Sequence, residues 1–335
     1  MNAFVIRRLA QLLLVLWGAV TLLFFLFFLL PDNPAELIAG GKGKTPDPQV
    51  VKNIEKKYGL DEPIVVQYVK YLGRIVTLDF GESYADGQPV TQIIKERAPA
   101  SLRLAIWAIL VEAFVGIGAG VLSAVRKYSV ADTLTTLLAA LLSAIPVFVL
   151  GYLLQQVFGV HAFKAGWPEW AQLPVQGIGP NTWVAWIFPT VEEFPYLILP
   201  VVVLASVSAI IVARLARSSM LEVGKSDFIR TARAKGLKEG QITSRHVLRN
   251  AMIPVVTFIG IDFGVLVGSA ILTETVFNWP GLGSKIAQAA SARDLPVLLG
   301  LTVVVVVVFG LVNLCVDISY AWFDPRVRFD EGGGQ

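Results

Sequence analysis

The chain has 335 residues, 55% hydrophobic and 16% charged, with a formal net charge of +3. Soluble domains carry about 25% charged residues, so this composition excludes an ordinary soluble domain and indicates an integral membrane protein. One cysteine, Cys315, sits in an apolar run, and two histidines, His161 and His246, lie far apart; that excludes a disulfide framework and leaves no metal site.

A hydrocarbon core about 30 Å thick needs about 20 apolar residues, and six segments qualify. The first is the charge-free run Leu9–Leu30 behind Arg7 and Arg8. It outruns the core of a signal peptide and has no cleavage site after it, so it reads as a retained span within residues 1–30. Residues 31–100 then form a helical insertion. Within it Asp61-Glu62-Pro63 starts a helix whose one face carries Ile64, Tyr68, Leu72, Ile75 and Val76. That helix either lies on the membrane and the outer span ends or docks an external partner. Gly43-Lys44-Thr45 imitates the end of a phosphate-binding loop, but Ile38 stands where the motif needs glycine, so no nucleotide site is expected.

The second span is Leu104–Val125, interrupted by Glu112, and the third is Thr133–Val160, kinked at Pro146. Loop 161–193 carries Trp167, Trp170, Trp183 and Trp186, which read as interfacial anchors. Arg103, at a span end, can snorkel and carries no reading of its own. The fourth span is Phe194–Ala213, the fifth is Ala251–Leu272 with Asp262 inside it, and the sixth is Leu295–Val316. Residues 326–335 form a tail ending in glycines.

Six spans put both termini on one side. Arg7/Arg8, Arg126/Lys127, segment 218–250 and Arg326/Arg328 share it, while loop 161–193 has Lys164 against Glu169, Glu192 and Glu193. The positive-inside rule makes that shared side cytoplasmic, and the nine Lys/Arg of the long segment 31–99 do not overturn this, because long loops translocate largely regardless of charge.

Segment 218–250 carries Lys225, Arg230, Arg233, Lys235, Lys238, Arg245 and Arg249 against Glu222, Asp227 and Glu239. Ser226 is placed to cap a helix, Asp227 suits the positive end of its dipole, and Gly236 can end it. A folded basic knob between two spans implies a partner on the cytoplasmic side.

Gly260, Gly264 and Gly268 in the fifth span let another helix approach closely, either within the chain or from a second membrane subunit; Gly116, Gly118 and Gly120 read the same way. Glu112 and Asp262 cost about 2.5–3.5 kcal/mol each near mid-bilayer, so they face protein or water. They line a permeation path or make structural hydrogen bonds. An ion-coupled secondary transporter would use them as ion sites, although no internal repeat of broken helices is present. A membrane scaffold without transport is the third alternative.

Six motifs in order carry a family resemblance. They are Leu29-Leu30-Pro31-Asp32-Asn33-Pro34; Tyr58-Gly59-Leu60-Asp61-Glu62-Pro63; Asp79-Phe80-Gly81-Glu82-Ser83; Arg230-Thr231-Ala232-Arg233-Ala234-Lys235-Gly236-Leu237; Glu274-Thr275-Val276-Phe277-Asn278-Trp279-Pro280-Gly281-Leu282-Gly283; and Asp317-Ile318-Ser319-Tyr320-Ala321-Trp322-Phe323-Asp324-Pro325-Arg326. With them the chain resembles the first of the two paired permeases of ABC importers of the dipeptide/oligopeptide/nickel type. The general importer motif has Glu-Ala-Ala, three residues and Gly, with Pro thirteen residues on. Here Arg230-Thr231-Ala232 precedes Gly236, and Arg249 stands where that Pro would be, as in the peptide branch.

The resemblance implies an all-α fold of six spans, residues 101–325 holding a five-helix permease core, in the bacterial or archaeal cell membrane. It implies that Asp227, Phe228, Ile229, Arg230, Thr231, Ala232, Arg233, Ala234, Lys235, Gly236 and Leu237 form a coupling helix seated in a cytoplasmic ATPase, with Phe228, Ile229 and Ala232 as its apolar patch. The partners implied are a second permease, two ATPases that bind ATP and Mg, and an extracytoplasmic binding protein that chooses the cargo. This chain is expected to bind no cofactor, metal or nucleic acid and to have no catalytic residue. Peptide is the expected cargo; nickel chelates, glutathione and haem are the alternatives.

Overall fold

The computed structural model describes residues 2–28, 35–36, 47–59, 61–180, 182–184, 186–292 and 294–323. The Leu29–Pro34 motif, Ile38, Gly43-Lys44-Thr45, Leu60, Asp324-Pro325-Arg326, Arg328 and the glycine tail lie outside them. The described residues form helices and loops, with only isolated bridges at Glu82–Pro89 and Val184–Phe188 as extended pairing. Six helical stretches are long and apolar enough to cross a membrane. The fold is all-α with six candidate spans, as the hydropathy requires.

Two compact units divide the chain, residues 1–100 with 281–314 and residues 101–280 with 315–335. In the first unit, helix α1 (Asn2–Phe28) packs on α3 (Ile64–Val76). Phe24, fully buried, meets the Tyr68 ring edge-on at 5.2 Å between centroids, and the Thr21 and Tyr68 hydroxyls lie 2.7 Å apart. The helix after Pro63 forms as expected, but its inner face is Tyr68, Tyr71, Leu72 and Ile75. Ile64 and Val76, at its two ends, are exposed. Between α1 and α3 runs α2 (Pro48–Tyr58), opened by the Asp47 carboxylate, which accepts the Gln49 amide at 2.8 Å, and closed by Gly59.

The loop at 79–89 is tied down by buried Asp294, which accepts from the Ser83 hydroxyl and from the amides of Tyr84 and Ala85. Asp294 immediately precedes α11 (Leu295–Phe323). Lys285, on α10 (Leu282–Ala292), pairs with Asp86 in the same loop. Val90, Ile93, Leu282, Ala289, Val297 and Leu301 form the core of this unit.

Helix α4 runs from Val90 to Val125. It starts well before the expected Leu104 because Pro99 does not break it. The third expected span is corrected more sharply. Helix α5 (Val130–Ala144) ends at Ile145, and α6 (Val147–Leu154) begins after Pro146 and continues as a π-helix (Gln155–His161) to Lys164. Proline drives its preceding residue out of the helical region, and Ile145 is extended at φ −94°, ψ 123°. The chain therefore breaks where a kink was expected, and the span is Val147–Lys164.

Helix α7 (Phe194–Val223) is the most enclosed element of the second unit: 67% of its most apolar stretch is buried, against 11% for α1. It continues past Ala213 because Arg214 and Arg217 prolong rather than stop the helix. A short helix, α8 (Asp227–Ala234), follows. The chain then re-enters through Glu239–Gln241 and a π-helix, Ile242–Val247, into α9 (Leu248–Val276). Pro254 does not interrupt α9.

Candidate functional site

Three of the sequence-marked features fall in the second unit and can be built residue by residue: the knob at α8, the acids inside the spans, and the glycine runs.

Residues Asp227–Ala234 do form a helix, and its termination is specific. The Gly236 amide bonds the Arg233 carbonyl at 2.9 Å, the Leu237 amide bonds the Ala232 carbonyl at 3.3 Å, and Gly236 has φ +78°. This paired pattern needs a left-handed residue, which glycine takes without a Cβ penalty. The start differs from expectation. Ser226 occupies the cap position, but its hydroxyl donates to the Val223 carbonyl at 2.6 Å and makes no cap bond. Asp227 stands in the first turn and pairs with Arg230 at 3.0 Å on the exposed face.

The expected apolar patch is split. Ile229 is fully buried and Ala232 nearly so, in a cluster with Met220, Ile242, Val247 and Ala251. Phe228 is 48% exposed. A helix this short cannot hold itself in water, so it is seated by its own chain: burying Ile229 contributes about 1.5–3 kcal/mol. Arg233 adds a two-pronged clasp on Glu239, with Nε at 2.7 Å. What remains outward is Asp227, Phe228, Arg230, Thr231, Arg233, Ala234, Lys235, Gly236 and Leu237.

Glu112 on α4 and Asp262 on α9 lie together in the core. Glu112 is fully buried and Asp262 is 8% exposed, and the two carboxyls are close enough to interact. Both Glu112 oxygens and Asp262 Oδ2 lack a hydrogen-bond partner. In this conformation the two carboxyls, carried by different helices, face each other in the core.

The glycines divide by environment. A Cβ on Gly116 would lie 2.8 Å from the Ala209 carbonyl, and one on Gly120 would lie 2.5 Å from the Ala213 carbonyl, so α4 and α7 touch backbone to backbone there; Gly118 faces open space. In α9, a Cβ on Gly260 would meet Val316 of α11 at 2.9 Å, Gly264 is buried, and Gly268 has nothing within 4 Å. Gly260 therefore packs within the chain, and at half-buried Gly268 a side chain would meet open space.

Comparison with known proteins places this arrangement. The family described as binding-protein-dependent transport system inner membrane component matches residues 116–329, and its N-terminal companion matches residues 1–105. The chain belongs to that family. A dipeptide transport system permease of Alkalihalophilus pseudofirmus is 37% identical over 98% of this chain and 100% of its own length. A probable peptide ABC transporter permease of Sinorhizobium fredii is 36% identical over 98% and 100%, and a glutathione transport system permease of Salmonella typhimurium is 37% identical over 97% and 99%. Among solved structures, a chain of the inward-facing MetNI methionine ABC transporter matches with TM-score 0.53 at 17% identity, covering 70% of this chain and 97% of that one; this likeness concerns the fold. The chain is thus a multi-pass permease subunit of the ABC importer class, and membership of this family does not support the ion-coupled alternative.

Several anchoring groups of this permease escaped the sequence reading. Arg217 on α7 donates from Nε and an Nη to Asp132 at 2.8 and 2.9 Å, and Ser123 and the Tyr128 amide complete the set. The Arg217 guanidinium, then the Ser123 hydroxyl, hold the Asp132 carboxyl well below the usual carboxylate range. Ser101 donates to buried Glu274 at 2.6 Å. Arg103, which carried no reading in the sequence, donates to the Trp186 carbonyl and lies over the Trp183 ring at 4.7 Å. Arg217–Asp132, Ser101–Glu274 and the Arg103–Trp186 contact join residues 85, 173 and 83 apart in sequence, so local patterning gave no signal for these three.

Proposed function

We propose that this chain is the transmembrane permease of an ATP-driven peptide importer in a bacterial or archaeal cell membrane, with both termini and α8 in the cytoplasm. It would pair with a second, homologous permease and two ATPases that bind ATP and Mg, and receive cargo from an extracytoplasmic binding protein. The observation that carries this reading is α8: its inner face is sunk into the chain's own core and its outer face presents Phe228 among cations. The peptide cargo rests on the names of its relatives, two for peptides and one for glutathione.

Closure of the two ATPases on ATP would pull α8, and α7 and α9 would follow because Met220 at the end of α7 and Ala251 in α9 pack on it. Inward- and outward-open states then exchange. Taking such an equilibrium from 1:99 to 99:1 needs about 5.5 kcal/mol, and helix contacts inside a bilayer are individually weak, so a firmly seated lever suffices. Asp262 and Glu112, buried in this conformation, would meet the path in another, and Gly268 would receive the second permease. Residues 1–30, 31–100, 101–325 and 326–335 would serve as first span, external insertion, core and cytoplasmic tail.

Reconstituted assembly given labelled dipeptide, glutathione, nickel chelate and haem should accumulate dipeptide in an ATP-dependent way. Uptake without ATPase subunits would overturn the reading. Gly236→Val should raise the ATP consumed per peptide imported. A β-branched residue at φ +78° costs about 1–2 kcal/mol and loosens the end of α8. An unchanged ratio would show that this end does not matter to coupling.

A further inference from the structure

At the foot of α9, Ser244, Arg245, His246, Arg249 and Asn250 line an open polar pocket. The backbone explains why they share one concavity. The segment Ile242–Val247 is π-helical, and the Leu248 amide bonds the Thr243 carbonyl five residues back. An α-helix turns every 3.6 residues, which splays residues five apart. A π turn brings them into register, Ser244 with Arg249 and Arg245 with Asn250.

The arginines of this pocket are uncommitted. Arg217, Arg230 and Arg233 each hold an acid, whereas Arg245 and Arg249 are exposed and have no acidic partner among the described residues. Asn250 is spent on the His246 carbonyl at 2.7 Å and the Ser244 hydroxyl on the Gly240 carbonyl at 2.8 Å. The pocket also opens onto an apolar strip. Ile253, 52% exposed, and Val256, 61% exposed, lie one and two turns beyond Arg249. One turn is only about 5.4 Å, so a charge held by the arginines sits at the edge of an apolar surface.

We propose that this pocket binds the phosphate of an anionic phospholipid, with its acyl chains laid along Ile253 and Val256. The inference rests on the cytoplasmic orientation proposed above, which puts the pocket in the anionic inner leaflet. A soluble phosphate or a carboxylate of an ATPase satisfies the arginines but leaves the apolar strip unexplained, and the face offered to an ATPase is that of α8.

The test uses the intact assembly in nanodiscs of equal phosphatidylglycerol and phosphatidylcholine, with retained lipid counted by native mass spectrometry. Wild type should retain phosphatidylglycerol preferentially. R245Q/R249Q should lose that preference by roughly thirtyfold, about fivefold per arginine, while R245K/R249K keeps most of it and Lys238→Gln all of it. Equal retention by wild type and R245Q/R249Q would overturn the proposal. So would displacement of the lipid by inorganic phosphate, which marks a free-phosphate site, or loss of ATPase subunits from R245Q/R249Q with the lipid preference intact, which marks a protein interface. Failed uptake with normal lipid counts would instead speak against the proposed transport function.

Discussion

Asp132 and Glu112 are both buried carboxylates of the second unit, and they are met in opposite ways. Asp132 receives Arg217, Ser123 and the Tyr128 amide, so its acceptor sites are filled. Glu112 meets another acid, Asp262, and has no cation, hydroxyl or amide donor among the described residues. A buried charge with matched donors fixes one arrangement, because removing any donor strands the charge. A buried carboxyl without donors stabilises no single packing. The first is a fully partnered joint between α5 and α7, and the second is a meeting of two acids between α4 and α9.

The comparison can be broken most severely through the packing that encloses it. Gly120→Leu would drive a side chain into the Ala213 carbonyl, 2.5 Å from the Cβ position. Backbone cannot yield as a side-chain tip does, and overpacking costs about 1–3 kcal/mol or more. We expect no stable assembly on size-exclusion chromatography. Gly118→Leu, facing open space, is the matched control.

Next in size is Arg217→Gln, which leaves Asp132 buried without its counter-charge. It should lower the melting temperature clearly, and R217Q/D132N should recover part of the loss. The sign in pH follows from the depressed carboxyl. Asp132 contributes fully above the unfolded value of about 3.9 and loses its contribution as pH falls through the lower folded value. Wild type and R217Q should therefore differ by a constant amount at neutral pH and converge only in strong acid. Convergence near neutrality would contradict the assignment.

The smallest effect is expected at the unpaired acid. Glu112→Gln removes one of two adjacent carboxyls and strands no cation, so thermal stability should stay within about 1 kcal/mol of wild type or rise, while transport rate changes. A loss as large as that of R217Q would mean that Glu112 has a structural partner after all.

Much of this was legible in the chain. Apolar runs gave the number of spans and placed five of them, misplacing the third, and the sequence around Gly236 announced the end of α8, because hydropathy and left-handed glycine are local signals. Pro146 was visible, but whether it bends or breaks a helix depends on packing around Ile145. The inward turn of Ile229 was hidden for the same reason: its neighbours Met220 and Ala251 come from different helices. Arg217 and Asp132, 85 residues apart, gave no hint of each other, whereas Glu112 and Asp262 were conspicuous as charges in apolar runs.

The central claim is that the outward face of α8, centred on Phe228, is gripped by an ATPase. The direct measurement is disulfide cross-linking of Phe228→Cys, in a Cys315→Ser background, to single cysteines around the surface groove of the ATPase in the complete assembly. The account predicts rapid cross-linking at Phe228→Cys and none at Ile229→Cys, which is buried in the chain's own core. Cross-linking at Ile229→Cys in preference to Phe228→Cys, or at neither, would contradict it.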